Sequence, residues 1–225
     1  MYRFPVGVIV DSFRLPMAEA VKKAKEVGAQ GIQVYASHGD MAPENMTPQK
    51  ISEFRKLVSD NGLVISALCG DLGGGGFVHP DRNPEKVEKS KRILDLAKEL
   101  GTDIVTTHIG VVPADSENER YKIMQQACFE LSSYADTIQS HFAVETGPEK
   151  SIILKNFLDS LNSRGVGNIF LIITILAARW DGRTDIQTHW QMSEKCAIII
   201  HLAMKCLKNL LPHHHFLRES LIGRH

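Results

Sequence analysis

No CxxC pair, no excess of either charge and no long apolar run occur in this chain, and each absence removes a class of function. The four cysteines, Cys69, Cys128, Cys196 and Cys206, are scattered, which fits reduced thiols in a cytosolic protein better than a disulfide framework. The 26 Lys and Arg balance the 26 Asp and Glu, so no overall field draws the chain to nucleic acid or to an anionic membrane. The most apolar stretch, IFLIITILAA at 169–178, falls short of the roughly 18 residues that a membrane span needs. The apolar start, MYRFPVGVIVDS, meets Asp11 too soon to be a signal peptide. These readings lead to the expectation of a soluble, cytoplasmic protein with small-molecule partners, no nucleic acid and no membrane. A homo-oligomer is left open.

What is present is a rhythm. Short apolar runs alternate with stretches of helical period: PVGVIV before PMAEAVKKAKEVG, GIQVYA before TPQKISEFRKLVSDNG, and LVISALCGD before NPEKVEKSKRILDLAKELG. DIVTTHIG precedes SENERYKIMQQACFELSSYADTIQ, where Ile123, Ala127, Leu131, Tyr134 and Ile138 fall on one face, and HFAVETG precedes PEKSIILKNFLDSLNSRG. Pro opens and Gly closes several of the helical stretches, as helix ends prefer. Five strand-then-helix units with strands apolar enough to be covered on both faces indicate a parallel sheet. Polar residues end several different strands, namely Asp11, Tyr35, Asp71, His108 and Glu145. That distribution favours an α/β fold of the (β/α)8 TIM-barrel type, whose sites are assembled from many strand ends, over an open doubly wound sheet with one crevice.

Glu145 is the leading candidate for chemistry. It ends an apolar run just before a helix, where a carboxylate needs a partner, and its hard oxygens suit a divalent ion or acid/base work. His108 in TTHIG ends another strand, where an imidazole can bind a hydroxyl, relay a proton or ligate a metal. Asp71 opens the glycine loop DLGGGGF, which lacks the GxxxxGK[ST] ending of a phosphate-binding loop and reads as a lid or a plain connection. His38 and His79 read as solvated loop residues. After about residue 166 the rhythm stops. VGNIFLIITILAARW is compatible with a strand or a buried helix, CAIIIHLAMKCLKNLL (196–211) has helical spacing, and six of the ten histidines lie in this last part.

In combination and order, VGVIVDSF, GIQVYA, SALCGDLGG, TTHIG and VETGPE resemble the xylose isomerase-like barrel family of sugar phosphate isomerases and epimerases, over about residues 1–166. The resemblance implies one barrel domain over 1–225, with 1–166 family-like and 167–225 a divergent or frameshifted tail. It implies a divalent metal (Mn, Mg, Co or Zn) with Glu145 as ligand and as catalytic acid/base. It implies His108 as a catalytic and substrate-binding residue, Glu149 as a further substrate-binding position, and a sugar or sugar phosphate as substrate; Asp71, read from its place at the head of the glycine loop, is a further substrate-binding candidate that can hydrogen-bond a polyol. The family's later ligand motifs, Asp-Pro-x-Asn and His-x-His-x-Lys-Asp, have no counterpart in this chain. Asp181, Asp185, His189 and His201 are the substitutes the tail offers. A non-catalytic barrel that binds a sugar or a partner is the alternative, and a phosphodiesterase like endonuclease IV is disfavoured by the neutral charge.

Overall fold

The computed structural model describes residues 6–145, 147–169, 171–175 and 198–202. Its first six strands are β1 (Gly7–Ile9), β2 (Gly31–Tyr35), β3 (Val64–Cys69), β4 (Ile104–Thr107), β5 (His141–Glu145) and β6 (Val166–Ile169). Each pairs in parallel with the next. Between them run α1 (Met17–Glu26), α2 (Pro48–Asp60), α3 (Asn83–Leu100), α4 (Glu119–Thr137) and α5 (Ser151–Ser160). Two more strands follow, β7 (Leu171–Ile175) and β8 (Ile198–Leu202). The full order is β6-β5-β4-β3-β2-β1-β8-β7.

The sequential order of β1 to β6 is that of a barrel wall, since a doubly wound sheet reverses direction at a switch point. The ends of this order are β6 and β7, yet Ile169 and Leu171 are separated by one residue, so the two edges lie within about 7 Å of each other at that point. The sheet is therefore rolled. β8 runs antiparallel to both β1 and β7, which departs from eight regular βα units. The helical period of 196–211 does not prevail over 198–202: the run Ile198-Ile199-Ile200 is β-branched, stiff at χ1 and suited to a pleated surface. The other residues of that segment, like Asp181, Asp185 and His189, lie outside the described residues, and His201 stands within β8.

Local chemistry sets the helix ends. Thr47 accepts a hydrogen bond from the Lys50 amide with Pro48 in the first turn, and Asn118 caps α4 through the Arg120 amide. α4 buries Met124, Ala127, Cys128, Leu131 and Ala135, a stripe rotated from the expected one, so that Ile123, Tyr134 and Ile138 flank the core. Alternation divides the strands. Leu68, Val105, Phe142 and Val144 join the helices in one large core with Phe54, Ile93, Leu131 and Phe157. Burying each such side chain stabilises by about 1.5–3 kcal/mol. Ala67, Ile104 and Ala143, at the opposite parity, form a separate small cluster inside the wall. Among the described residues, no helix is long and apolar enough to cross a membrane.

Candidate functional site

Three of the strand-end residues meet. The His108 ring hydrogen-bonds Asp71 through Nδ1 (3.1 Å to Oδ2), and its Nε2 lies at ion-pair distance from Glu145 (3.1 Å to Oε2). Asp71 follows β3, His108 follows β4 and Glu145 ends β5, so three neighbouring strands of a parallel wall deliver their C-terminal ends to one place. Side-chain exposure is 46% for His108, 30% for Asp71 and 11% for Glu145. Glu149 stands apart from this line: its Oε1 accepts from the Gly147 amide at 3.3 Å, and its Oε2 is buried without a partner.

The electrostatics follow from the geometry. The hydrogen bond that His108 donates to Asp71 raises the His108 pKa against the effect of burial, with the Glu145 and Asp71 charges adding to the rise. Asp71 is held below the usual carboxylate range by that same bond and by the Gly73 amide at 2.8 Å. Burial raises Glu145, opposed by the His108 charge and by a hydrogen bond from Thr106. The two carboxyls are thus pushed in opposite directions, Asp71 towards easier ionisation and Glu145 towards harder.

Thr106 and its neighbours had no place in the sequence reading of the site. The Gln33 amide donates to the Thr106 hydroxyl at 2.7 Å inside the wall, and Thr106 also bonds Glu145 and Cys69. A hydroxyl has one proton and two lone pairs. With Gln33 donating to its oxygen, the Thr106 proton is free to be donated towards Glu145 or the Cys69 sulfur, and it lowers the pKa of both. Cys69 stays a thiol because burial pushes its pKa up to about 11, and Tyr35, hydrogen-bonded to Cys69, is pushed up to about 12, first by burial. The signal was parity: Gln33 and Tyr35, and Thr106 and His108, stand two residues apart on the inner face.

The glycine loop is a fixed connection. Gly73 to Gly76 all have positive φ, which glycine adopts without strain. The Lys86 ammonium donates to the carbonyls of Gly73 (2.6 Å) and Gly76 (2.7 Å), and the Phe77 amide bonds the Ile109 carbonyl at 2.9 Å. A Cβ on Gly76 would lie 2.0 Å from the Ile109 carbonyl carbon. The loop is thereby locked to the exit of β4, beside His108.

Among the described residues, no three His, Cys, Asp or Glu side chains converge as metal ligands. The cause is visible: Asp71 and Glu145 occupy opposite nitrogens of one ring, so they do not point at a common ion. The described residues alone do not fit the divalent metal that the resemblance implied.

Comparison with known proteins agrees with this architecture. The chain is similar in structure to a xylose isomerase domain protein from Planctomyces limnophilus (24% identity, TM-score 0.62, 73% of this chain and 62% of that one). It is similar to a xylose isomerase-like TIM barrel protein from Mycobacterium smegmatis solved in complex with magnesium (18% identity, TM-score 0.57, 75% and 65%). It is also similar to a D-psicose 3-epimerase solved in the presence of D-fructose (13% identity, TM-score 0.58, 72% and 61%). The chain spans about three fifths of the length of these structures. No curated protein matches it. The profile described as "Xylose isomerase-like TIM barrel" matches residues 21–190, three quarters of the sequence, and the chain therefore belongs to that family.

Proposed function

We propose that the chain shifts a proton next to the carbonyl of a polyhydroxylated small molecule, as a sugar isomerase or epimerase does. The observation that carries this reading is the line Asp71–His108–Glu145 at the C-terminal ends of three adjacent strands. Glu145 takes the proton from the carbon beside the carbonyl, the electron pair moves onto the carbonyl oxygen, and the His108 cation, held by Asp71, stabilises the oxyanion that forms. The oxyanion takes a proton from the His108 cation, the neutral imidazole then takes the proton of the adjacent hydroxyl, and Glu145 returns its proton to the former carbonyl carbon as the second oxygen becomes the new carbonyl. One carboxylate working from one face transfers the proton between adjacent carbons, which is isomerisation. Inverting one carbon requires a second base on the other face. Tyr35, kept protonated, is a hydroxyl donor at the rim, and Glu149 is a substrate-binding candidate from the neighbouring turn. No step here runs through a metal.

The test is turnover of a panel of aldoses, ketoses and their phosphates, with and without Mn2+ or Mg2+, alongside exchange of the substrate's carbon-bound hydrogen in D2O. Turnover or exchange that falls at least about a hundredfold in Glu145→Gln supports the reading. Binding of a sugar without exchange supports the second reading, a barrel that binds and does not turn over, which the lack of a converging ligand set among the described residues favours.

A further inference from the structure

A cavity of about 380 Å³ lies between the segment after β2 and the first three turns of α3, and Asp71 forms part of its wall. It therefore adjoins the His108 line. Its volume suits a substrate of sugar size. Four cations line it, Arg82, Lys86, Lys89 and Arg92, and they repeat at helical spacing along one stripe of α3.

The charges do not cancel. Three carboxylates also line the cavity, Glu44, Asp71 and Glu85. Two already have partners: Glu85 bonds Lys89 at 2.7 Å and Asp71 bonds His108 at 3.1 Å. Lys86 donates to two carbonyls, which orient its charge without neutralising it. Arg92 has no carboxylate partner among the described residues, and Arg82 has only Asp81 at 3.9 Å. Glu44 lines the same cavity and forms no ion pair among the described residues. Guanidinium groups present forked donors that match an oxyanion in two bonds at once.

We infer that this cavity is an oxyanion subsite in which Arg82 and Arg92 grip the charged end of a substrate, placing its other end at Asp71 and His108. The substrate class is then a polyol carrying a phosphoryl or carboxylate group. The part concerning the other end rests on the isomerase reading, and the anion subsite stands without it.

The experiment uses the full chain at low ionic strength and titrates inorganic phosphate, with malonate as the carboxylate arm, followed by calorimetry or phosphorus NMR. Arg82→Gln/Arg92→Gln is compared with the parent after circular dichroism has confirmed its fold. The expected result is saturable binding that weakens at least tenfold in the double variant and persists in Glu145→Gln. Tighter phosphate than malonate identifies a phosphoryl group, and the reverse order a carboxylate. No binding of either anion, or equal binding by parent and double variant, overturns the inference. Anion binding without turnover on any substrate sinks the isomerase reading alone. Turnover with no preference in kcat/KM for charged over neutral sugars sinks this one alone.

Discussion

The two ends of the same strands are built differently. Where β4 and β5 begin, small polar side chains satisfy backbone groups: Thr102 donates to the Ser66 carbonyl at 3.0 Å, Ser140 to the Asp103 carbonyl at 2.9 Å, and Ser66 to the Ile32 carbonyl at 2.8 Å. Where β3, β4 and β5 end, ionisable side chains satisfy one another, with Asp71, His108 and Glu145 in line and Thr106 beneath. The first arrangement relies on uncharged hydroxyls, with one loose pair of ionisable groups, His141 and Asp103 at 3.6 Å, beside them, and it holds the strands in place. The second stores charge beside an opening. A parallel wall separates these tasks because all its strands point the same way.

The sharpest way to break this contrast is Gly76→Ala. The added Cβ meets the Ile109 carbonyl, and the residue must stay at φ +73°, so a loss of about 3 kcal/mol is expected in urea denaturation. The His108 ring resonances should shift while the amides around Thr102 keep their protection from exchange. A variant as stable as the parent would show that the loop does not hold the C-terminal end.

Gln33→Leu comes next, at about 1–2 kcal/mol, because it leaves the Thr106 hydroxyl without its buried donor. With Thr106 less well oriented, Glu145 loses part of the bond that lowers its pKa, and the acid limb of the proposed proton shift, followed by exchange in D2O, should move to higher pH. Thr102→Val is the control at the other end: about 1 kcal/mol lost, with the pH profile unmoved. A shift there would mean that the two ends communicate.

The smallest effect is the pH dependence of stability. The pKa of His108 is raised, so the stabilisation from its cation is complete below the ordinary histidine value and is lost as pH rises through the raised one. Asp71 is lowered, so its contribution holds above the ordinary carboxylate value and is lost as pH falls through the lowered one. Glu145 is raised by burial, so its ionisation opposes folding as pH climbs. Glu145→Gln removes that opposition, and its urea midpoint should decline less than the parent's as pH rises from the ordinary carboxylate value through the raised one. An equal or steeper decline would place the burden on another group.

Most of the wall was legible because it depends on local rules. TTHIG and VETG place a polar residue at the end of a run of apolar residues and a glycine just after it, and parallel pairing then brings His108 and Glu145 together without further information. Pro48, Pro84 and Gly101 mark helix ends within a residue or two of where they fall. The Gln33–Thr106 bond spans 73 residues and depends on register, including the irregularity between Ile32 and Gln33, which no local pattern encodes. The Lys86 anchor joins a helix side chain to loop carbonyls, and any lysine on a polar face looks the same in sequence. The strand at Ile198–Leu202 was misread because an apolar run of that length fits either period, and pairing with β1 decided it.

The four-glycine loop also makes the site sensitive to temperature. Fixing the backbone of four residues opposes order by more than ~4 kcal/mol, and glycine loses the most freedom of any residue. Against that stand a few hydrogen bonds, two of them from the single Lys86 ammonium. On warming, this segment is the natural first place for local opening, before the strands separate. The Phe77 amide, bonded across to Ile109, should exchange with solvent faster than the amides of β4, and the Asp71–His108 contact should lose its geometry while the wall is still folded.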